Sequence, residues 1–216
     1  MMWNRGYLSA DQMAAAFQLL RSNDLVWSRM VHDYLMGERS RMFDLMAWNA
    51  DSTRMPYRMQ AEYLRGLYLD NDLASGRFMV EGRPAALQNI RTPVFAVATE
   101  ADHVAPWRSV HKLHLLTDSD VTFVLTSGGH NAGIVSEPGH PGRHFRVKSK
   151  NHGDVCLGPD EWLAAAPMRS GSWWTAWTEW LSARSSPDLV EPPAIGDAAR
   201  GCEPLCDAPG TYVLQR

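Results

Sequence analysis

Two side chains in this sequence have the types and settings that proton transfer requires. Asp102 stands in Thr99-Glu100-Ala101-Asp102-His103-Val104-Ala105-Pro106-Trp107, and His130 in Ser127-Gly128-Gly129-His130-Asn131-Ala132-Gly133. An imidazole can take a proton from a hydroxyl or thiol set against one ring nitrogen. A carboxylate on the other nitrogen fixes the tautomer and stabilises the imidazolium that forms. Glycines before His130 let the backbone turn sharply and leave the ring accessible. Plainer roles exist for both residues: an acid before a helix N-terminus, which the helix dipole favours, and a turn histidine. The nucleophile of such a pair belongs upstream, on a strand-turn-helix elbow of the form G-x-S-x-G or a cysteine variant. No Ser or Cys before Asp102 stands in that frame. Cys156 follows both partners, with no strand expected before it. Cys202 and Cys206 lie in a tail without a second ligand pair, so no metal site is expected. His103 reads as structural, because one imidazole suffices. His111, His114, His140, His144 and His152 are scattered, with no convergent ligand set.

The elements that must position the pair can be read on either side of it. Val94 to Ala98 is a continuous apolar run, which fits a strand buried on both faces of a parallel sheet. Trp107 to Leu116 has a helical pattern, and Val121 to Leu125 is a second buried strand. Together they form a βαβ unit, expected to cross over right-handedly. Asp102 and His130 then each follow the carboxyl end of a strand, where open α/β sheets place their active-site groups. Their chain order is that of an α/β-hydrolase triad.

Upstream, residues 9–36 read as two helical segments, capped by Ser9 and by Ser22 or Asn23 and stopped at Gly37. Residues 38–51, with Phe43, Leu45, Met46 and Trp48, read as an irregular connection. Ser52 or Thr53 with Pro56 starts a third helix, lined by Met59, Tyr63 and Leu67. Phe78 to Val80 begins a short strand and turn. Downstream, residues 136–160 are rich in Gly, Pro and His and read as loop. Glu161 to Ala166 and Ser172 to Ala183 read as helices, the second presenting Trp173, Trp174, Trp177 and Trp180. The fold class is α/β, with about two strands and a hairpin. Such a sheet is too small for a core of its own.

Composition sets the remaining bounds. The 216 residues suit one domain or a large piece of one. A net charge of −3 shows no basic stripe for nucleic acid. No apolar run reaches the ~20 residues of a membrane span. The first residues lack the charged and apolar regions of a signal peptide. Three cysteines make no disulfide framework, and a cytoplasmic setting follows. Nine Trp and eleven Met suit a greasy lid or an acyl-binding surface as well as ordinary packing.

Six ordered segments carry a resemblance. They are Leu20-Arg21-Ser22-Asn23-Asp24-Leu25-Val26-Trp27, Trp48-Asn49-Ala50-Asp51-Ser52-Thr53-Arg54-Met55-Pro56, Asp102-His103-Val104-Ala105-Pro106-Trp107, Gly128-Gly129-His130-Asn131-Ala132-Gly133, Gly171-Ser172-Trp173-Trp174 and Ala208-Pro209-Gly210-Thr211-Tyr212-Val213-Leu214. Over essentially its whole length the chain resembles the polyhydroxyalkanoate synthases, most closely the class I type. The resemblance implies the C-terminal part of an α/β-hydrolase fold: a lid-like helical region over 1–88, the end of the core over 89–182 and an extended tail over 183–216. It implies an acyltransferase that polymerises (R)-3-hydroxyacyl-CoA into polyester with release of CoA. The CoA thioester is substrate, and no cofactor is implied. By position His130 resembles the general base for a cysteine that carries the growing chain. Asp102 resembles the acid that orients His130 and helps activate the substrate hydroxyl. Trp48 and Gly129 match substrate-side positions.

The family's cysteine-bearing lipase-like box has no counterpart in this sequence, and the resemblance places it, with most of the sheet, before these residues. The isolated chain is therefore expected to be inactive, and to be one half of a split enzyme, a truncated product, or a domain dependent on a partner. A missing N-terminal half, an intact synthase or a second copy in a homo-oligomer are the partners this implies. The alternative expectation is a non-catalytic protein that binds an intact synthase or the polyester granule surface.

Overall fold

The computed structural model describes residues 2–20, 22–38, 44, 48, 54–208, 210 and 211. The chain divides into two units, Met1–Asp70 with Pro192–Arg216, and Asn71–Glu191.

In the first unit, helix α1 (Met2–Arg5) leads to strand β1 (Tyr7–Leu8) and helix α2 (Ala10–Leu20). Ser9 caps α2 as its sequence predicts. Its Oγ accepts from the Gln12 amide at 3.4 Å, and the Gln12 side chain accepts from the Ser9 amide at 3.3 Å, a reciprocal capping box. The next helical run has α3 (Ser28–Met30) at its centre, between π-helical turns Asn23–Trp27 and Val31–Leu35. Ser22, expected as its cap, is itself in helical conformation and makes no side-chain cap bond. Gly37 ends the run in the left-handed region at φ 71°, a conformation glycine adopts without strain. Strand β2 (Met55–Pro56) pairs with β1 antiparallel and opens helix α4 (Tyr57–Tyr63), which continues through a π-helical turn, Leu64–Leu69. The caps expected at Ser52 and Thr53 and the connection through Phe43, Leu45 and Met46 lie outside the described residues. Trp27, Met30 and Tyr34 on one run, and Met59, Tyr63 and Tyr68 on the other, are exposed. Neither run holds a buried residue among those described.

The second unit holds the main sheet. Strands β3 (Phe78–Val80) and β4 (Arg83–Ala85) form a hairpin turned by Glu81 and Gly82, both at positive φ, as a two-residue type I′ turn requires. Then follow β5 (Val94–Thr99), α5 (Trp107–Val110), α6 (Leu113–Leu116), β6 (Val121–Thr126), β7 (His144–Lys150), α7 (Pro159–Ala165), β8 (Met168–Ser170) and α8 (Trp174–Ser182). The sheet order is β5-β6-β7-β8. Strands β5 and β6 are parallel and in step from Val94↔Val121 to Thr99↔Thr126, whereas β7 and β8 join antiparallel. The expected helix from 107 to 116 is two short helices.

The strand count is larger than the sequence reading gave. His144 to Lys150 lies within the stretch read as loop, yet it is the longest strand of the sheet. Phe145 and Val147 point to one face and Arg146, Lys148 and Lys150 to the other. That alternation is a period-2 signal, and the Gly- and Pro-rich flanks masked it.

The sheet is covered on both faces. Val94, Ala96, Ala98, Val121, Phe123 and Leu125 pack with Trp107, Val110, Leu113, Trp162 and Ala166 on one side. Phe95, Val97, Val124, Phe145 and Val147 pack with Trp173, Trp174 and Ala176 on the other. Each fully buried large apolar side chain contributes about 1.5–3 kcal/mol, which fixes the ends of β5 and β6. Strand β5 stands at an edge of this sheet.

Candidate active site

Because Thr99 pairs with Thr126, β5 and β6 end at the same level and their two following loops leave side by side. Backbone bonds extend the pairing past the strands: Glu100 N–H donates to Thr126 O at 2.9 Å, and Ala101 N–H to Gly128 O at 3.0 Å. Asp102 and His130 thus come together. Asp102 Oδ2 lies 2.8 Å from His130 Nδ1. Asp102 Oδ1 accepts from the amides of Val104 and Ala105, each at 2.8 Å. The acid therefore holds its own loop and the imidazole at once.

The two side chains differ in access. Asp102 is 8 % exposed and His130 46 %. Burial pushes the Asp102 carboxyl pKa up, but the bonds from the Ala105 amide, His130 and the Val104 amide together outweigh it and hold it below its ordinary value. An ionised Asp102 accepts from Nδ1–H. That places the neutral ring's proton on Nδ1 and leaves Nε2 as the basic nitrogen.

The loop that carries His130 is fixed by groups distant in sequence. Arg143 donates to Ala132 O at 2.9 Å. The Trp173 indole donates to the carbonyls of Gly133 and Ile134, and the Trp174 indole to Ile134 O at 3.0 Å. The buried Ser172 hydroxyl donates to Ser136 O and accepts from the Trp174 amide. Gly133 has no room for a side chain: a Cβ there would lie 2.5 Å from Thr99 Cγ2 and 2.9 Å from two backbone oxygens. Gly128 sits at φ 103°, against Arg143 and Gly133. None of these supports follows from reading the two loops alone. The one sequence signal for them is the Gly171-Ser172-Trp173-Trp174 segment.

Gly129, expected on the substrate side, directly precedes His130. The nearest atom to a Cβ at this position is Ala101 O at 4.0 Å, so no neighbour within the chain demands a glycine here. Trp48 belongs to the first unit and is 66 % exposed. Cys156 follows β7, whose last residue Lys150 pairs with Val121 at the start of β6. It therefore lies at the opposite end of the strands from Asp102 and His130, roughly 17 Å away at strand rise. Among the described residues no serine or cysteine is bonded to His130, and no group of three metal-ligating side chains occurs.

No family model matches the chain. Over all its 216 residues it is 40 % identical to a poly(3-hydroxyalkanoate) polymerase of Methylorubrum extorquens, of which it covers 34 %. It is 37 % identical over 214 residues to poly(3-hydroxyalkanoate) polymerase 2 of Ectopseudomonas oleovorans, covering 37 % of that protein. Against a poly(3-hydroxyalkanoate) polymerase subunit PhaC of Cupriavidus necator it is 36 % identical over 204 residues, 33 % of that protein. The chain belongs to the poly(3-hydroxyalkanoate) polymerase family. It spans about a third of the length of the curated relatives it matches. In this polymerase-family chain the acid and imidazole sit in adjacent loops at the ends of two parallel strands.

Proposed function

We propose that this chain supplies the acid and base of a polyhydroxyalkanoate synthase-like thiol acyltransferase site, whose cysteine comes from sequence outside it. The observation that carries this reading is the 2.8 Å contact between Asp102 and His130, with the second imidazole nitrogen left for a thiol. In the proposed first step, His130 Nε2 takes the proton of the cysteine thiol. The thiolate attacks the thioester carbonyl of a (R)-3-hydroxyacyl-CoA, and CoA leaves with the proton that the imidazolium returns. Transfer of the acyl group to the hydroxyl of the next unit uses the same base, while Asp102 balances the charge on the ring. Strand β5 fits this reading, because an apolar parallel strand at a sheet edge invites a further strand. The rest of an α/β-hydrolase core would supply one. The proposed setting is cytoplasmic, at the surface of the polyester granule. No helix among the described residues is long and apolar enough to cross a membrane.

The uncovered apolar residues of the first unit favour a second reading, a non-catalytic protein that docks on an intact synthase. One experiment separates the two. The chain is mixed with an upstream segment carrying the lipase-like cysteine box, and thiol release from (R)-3-hydroxybutyryl-CoA is followed. The catalytic reading expects release from the mixture, none from either part, and a loss of at least 10²-fold with His130→Ala. Release undiminished by that substitution would overturn it.

A further inference from the structure

A second carboxylate–imidazole pair spans the same end of the sheet as Asp102 and His130. Glu100 Oε2 lies 3.2 Å from His144 Nε2. Glu100 directly follows β5, two residues before Asp102, and His144 opens β7. These strands are not neighbours, because β6 runs between them. The register explains the reach. Thr99, Thr126 and Phe145 form one row across β5, β6 and β7, so Glu100, Ser127 and His144 form the next. Side chains of one row point to the same face. At two strand spacings the outer positions stand roughly 10 Å apart, a span that glutamate and histidine side chains close over a small residue. The middle residue is a serine, and it is 7 % exposed.

His144 is bonded to the foot of both loops. Its carbonyl accepts from the Ser127 amide at 2.9 Å, and its amide donates to Ser127 Oγ at 3.2 Å, where the His130 loop begins. Its side chain holds Glu100, where the Asp102 loop begins. Arg143, just before it, donates to Ala132 O beyond His130 at 2.9 Å. Two consecutive residues at the start of β7 thus grip both loops. Between the loops themselves run the Ala101–Gly128 backbone bond and the Asp102–His130 contact. An ionised carboxylate only accepts, so the neutral His144 ring carries its proton on Nε2. That is the opposite tautomer from His130, whose Nδ1 faces its acid.

An acid–base pair works only when held within about 0.5 Å and 10–20° of its productive geometry. Backbone pairing fixes where the two loops leave the sheet, but not how far they splay beyond it. We propose that Glu100 and His144 are positioning residues for the Asp102–His130 pair, a clasp across β6 that sets the spacing of the two loops. Neither side chain touches the reacting atoms; each acts through the loop it holds. The role rests on the reading of Asp102 and His130 as acid and base, whereas the clasp itself is measurable on the chain alone. The Glu100 and His144 side chains are 36 % and 38 % exposed. An exposed pair contributes little to stability, so its removal keeps the fold and changes the geometry of the loops.

The test has two readouts. On the full chain alone, the His130 Nδ1–H proton resonance gives the rate of its exchange with water. In the mixture with the cysteine-bearing segment, CoA release gives kcat and KM. Glu100→Ala should speed the exchange about tenfold by letting the loops part. It should lower kcat roughly three- to tenfold, with KM and the melting curve unchanged. Glu100→Gln keeps an oxygen that accepts from Nε2–H, and should restore both readouts to within about twofold of wild type. His152→Ala breaks another exposed ion pair, with Asp118 at the far end of the strands, and should leave His130 as in wild type. Wild-type exchange in Glu100→Ala would overturn the proposal, as would equal damage from Glu100→Gln or from His152→Ala. An unchanged kcat for Glu100→Ala in a mixture that releases CoA would also overturn it. Faster exchange in Glu100→Ala, with no CoA release from the wild-type mixture, would leave the clasp standing and remove the acyltransferase reading instead.

Discussion

Asp102 does two jobs with one carboxylate, and its substitutions separate them. Asp102→Asn keeps the shape but can no longer fix the Nδ1–H tautomer by charge. In the two-part mixture it lowers CoA release by 10²–10⁴-fold. It also removes the downfield Nδ1–H proton resonance of His130. A variant that kept both would contradict the assigned pairing. The same carboxyl has a pH signature. Its folded pKa lies below the ordinary value of 3.8, so the stability it contributes is present above that value and is lost as pH falls through the folded pKa. The stability gap between wild type and Asp102→Asn should be constant near neutral pH and close below 3.8 in acid titrations of unfolding. A gap that closed at neutral pH would point to another group.

The His130 loop behaves as an element held from outside. Two of its glycines should differ sharply on substitution. Gly133→Ala forces a Cβ against Thr99 and two carbonyls, and should destabilise by about 1–3 kcal/mol. Gly129→Ala meets nothing nearer than Ala101 O at 4.0 Å, an ordinary contact, and should leave the melting curve unchanged. A slowed reaction in the mixture with unchanged stability would then place Gly129 beside the substrate. Trp173→Phe keeps the ring packing but removes an indole donor, and should cost about 1 kcal/mol of stability. It should also weaken the His130 Nδ1–H resonance by freeing the loop. Wild-type stability in this variant would mean the indole bonds do not hold the loop.

At the scale of the whole molecule, the parts legible in the sequence were those with local signals. Strands β5 and β6 announced themselves as unbroken apolar runs, and the loops after them showed the acid and the histidine. Strand β7 was hidden because its alternation of Phe145 and Val147 with Arg146, Lys148 and Lys150, a strand signal, is short and bounded by loop-forming residues. Four strands rather than two give the second unit a core on both faces. The supports of the site were not legible, because Arg143, Ser172, Trp173 and Trp174 reach it only through the fold.

The central claim is that His130 activates a thiol contributed from outside the chain. Its most direct test is the alkylation rate of the cysteine in the upstream segment by iodoacetamide at neutral pH, alone and with the chain. The account predicts a faster rate with the wild-type chain and no acceleration with His130→Ala. An equal acceleration by both would contradict it.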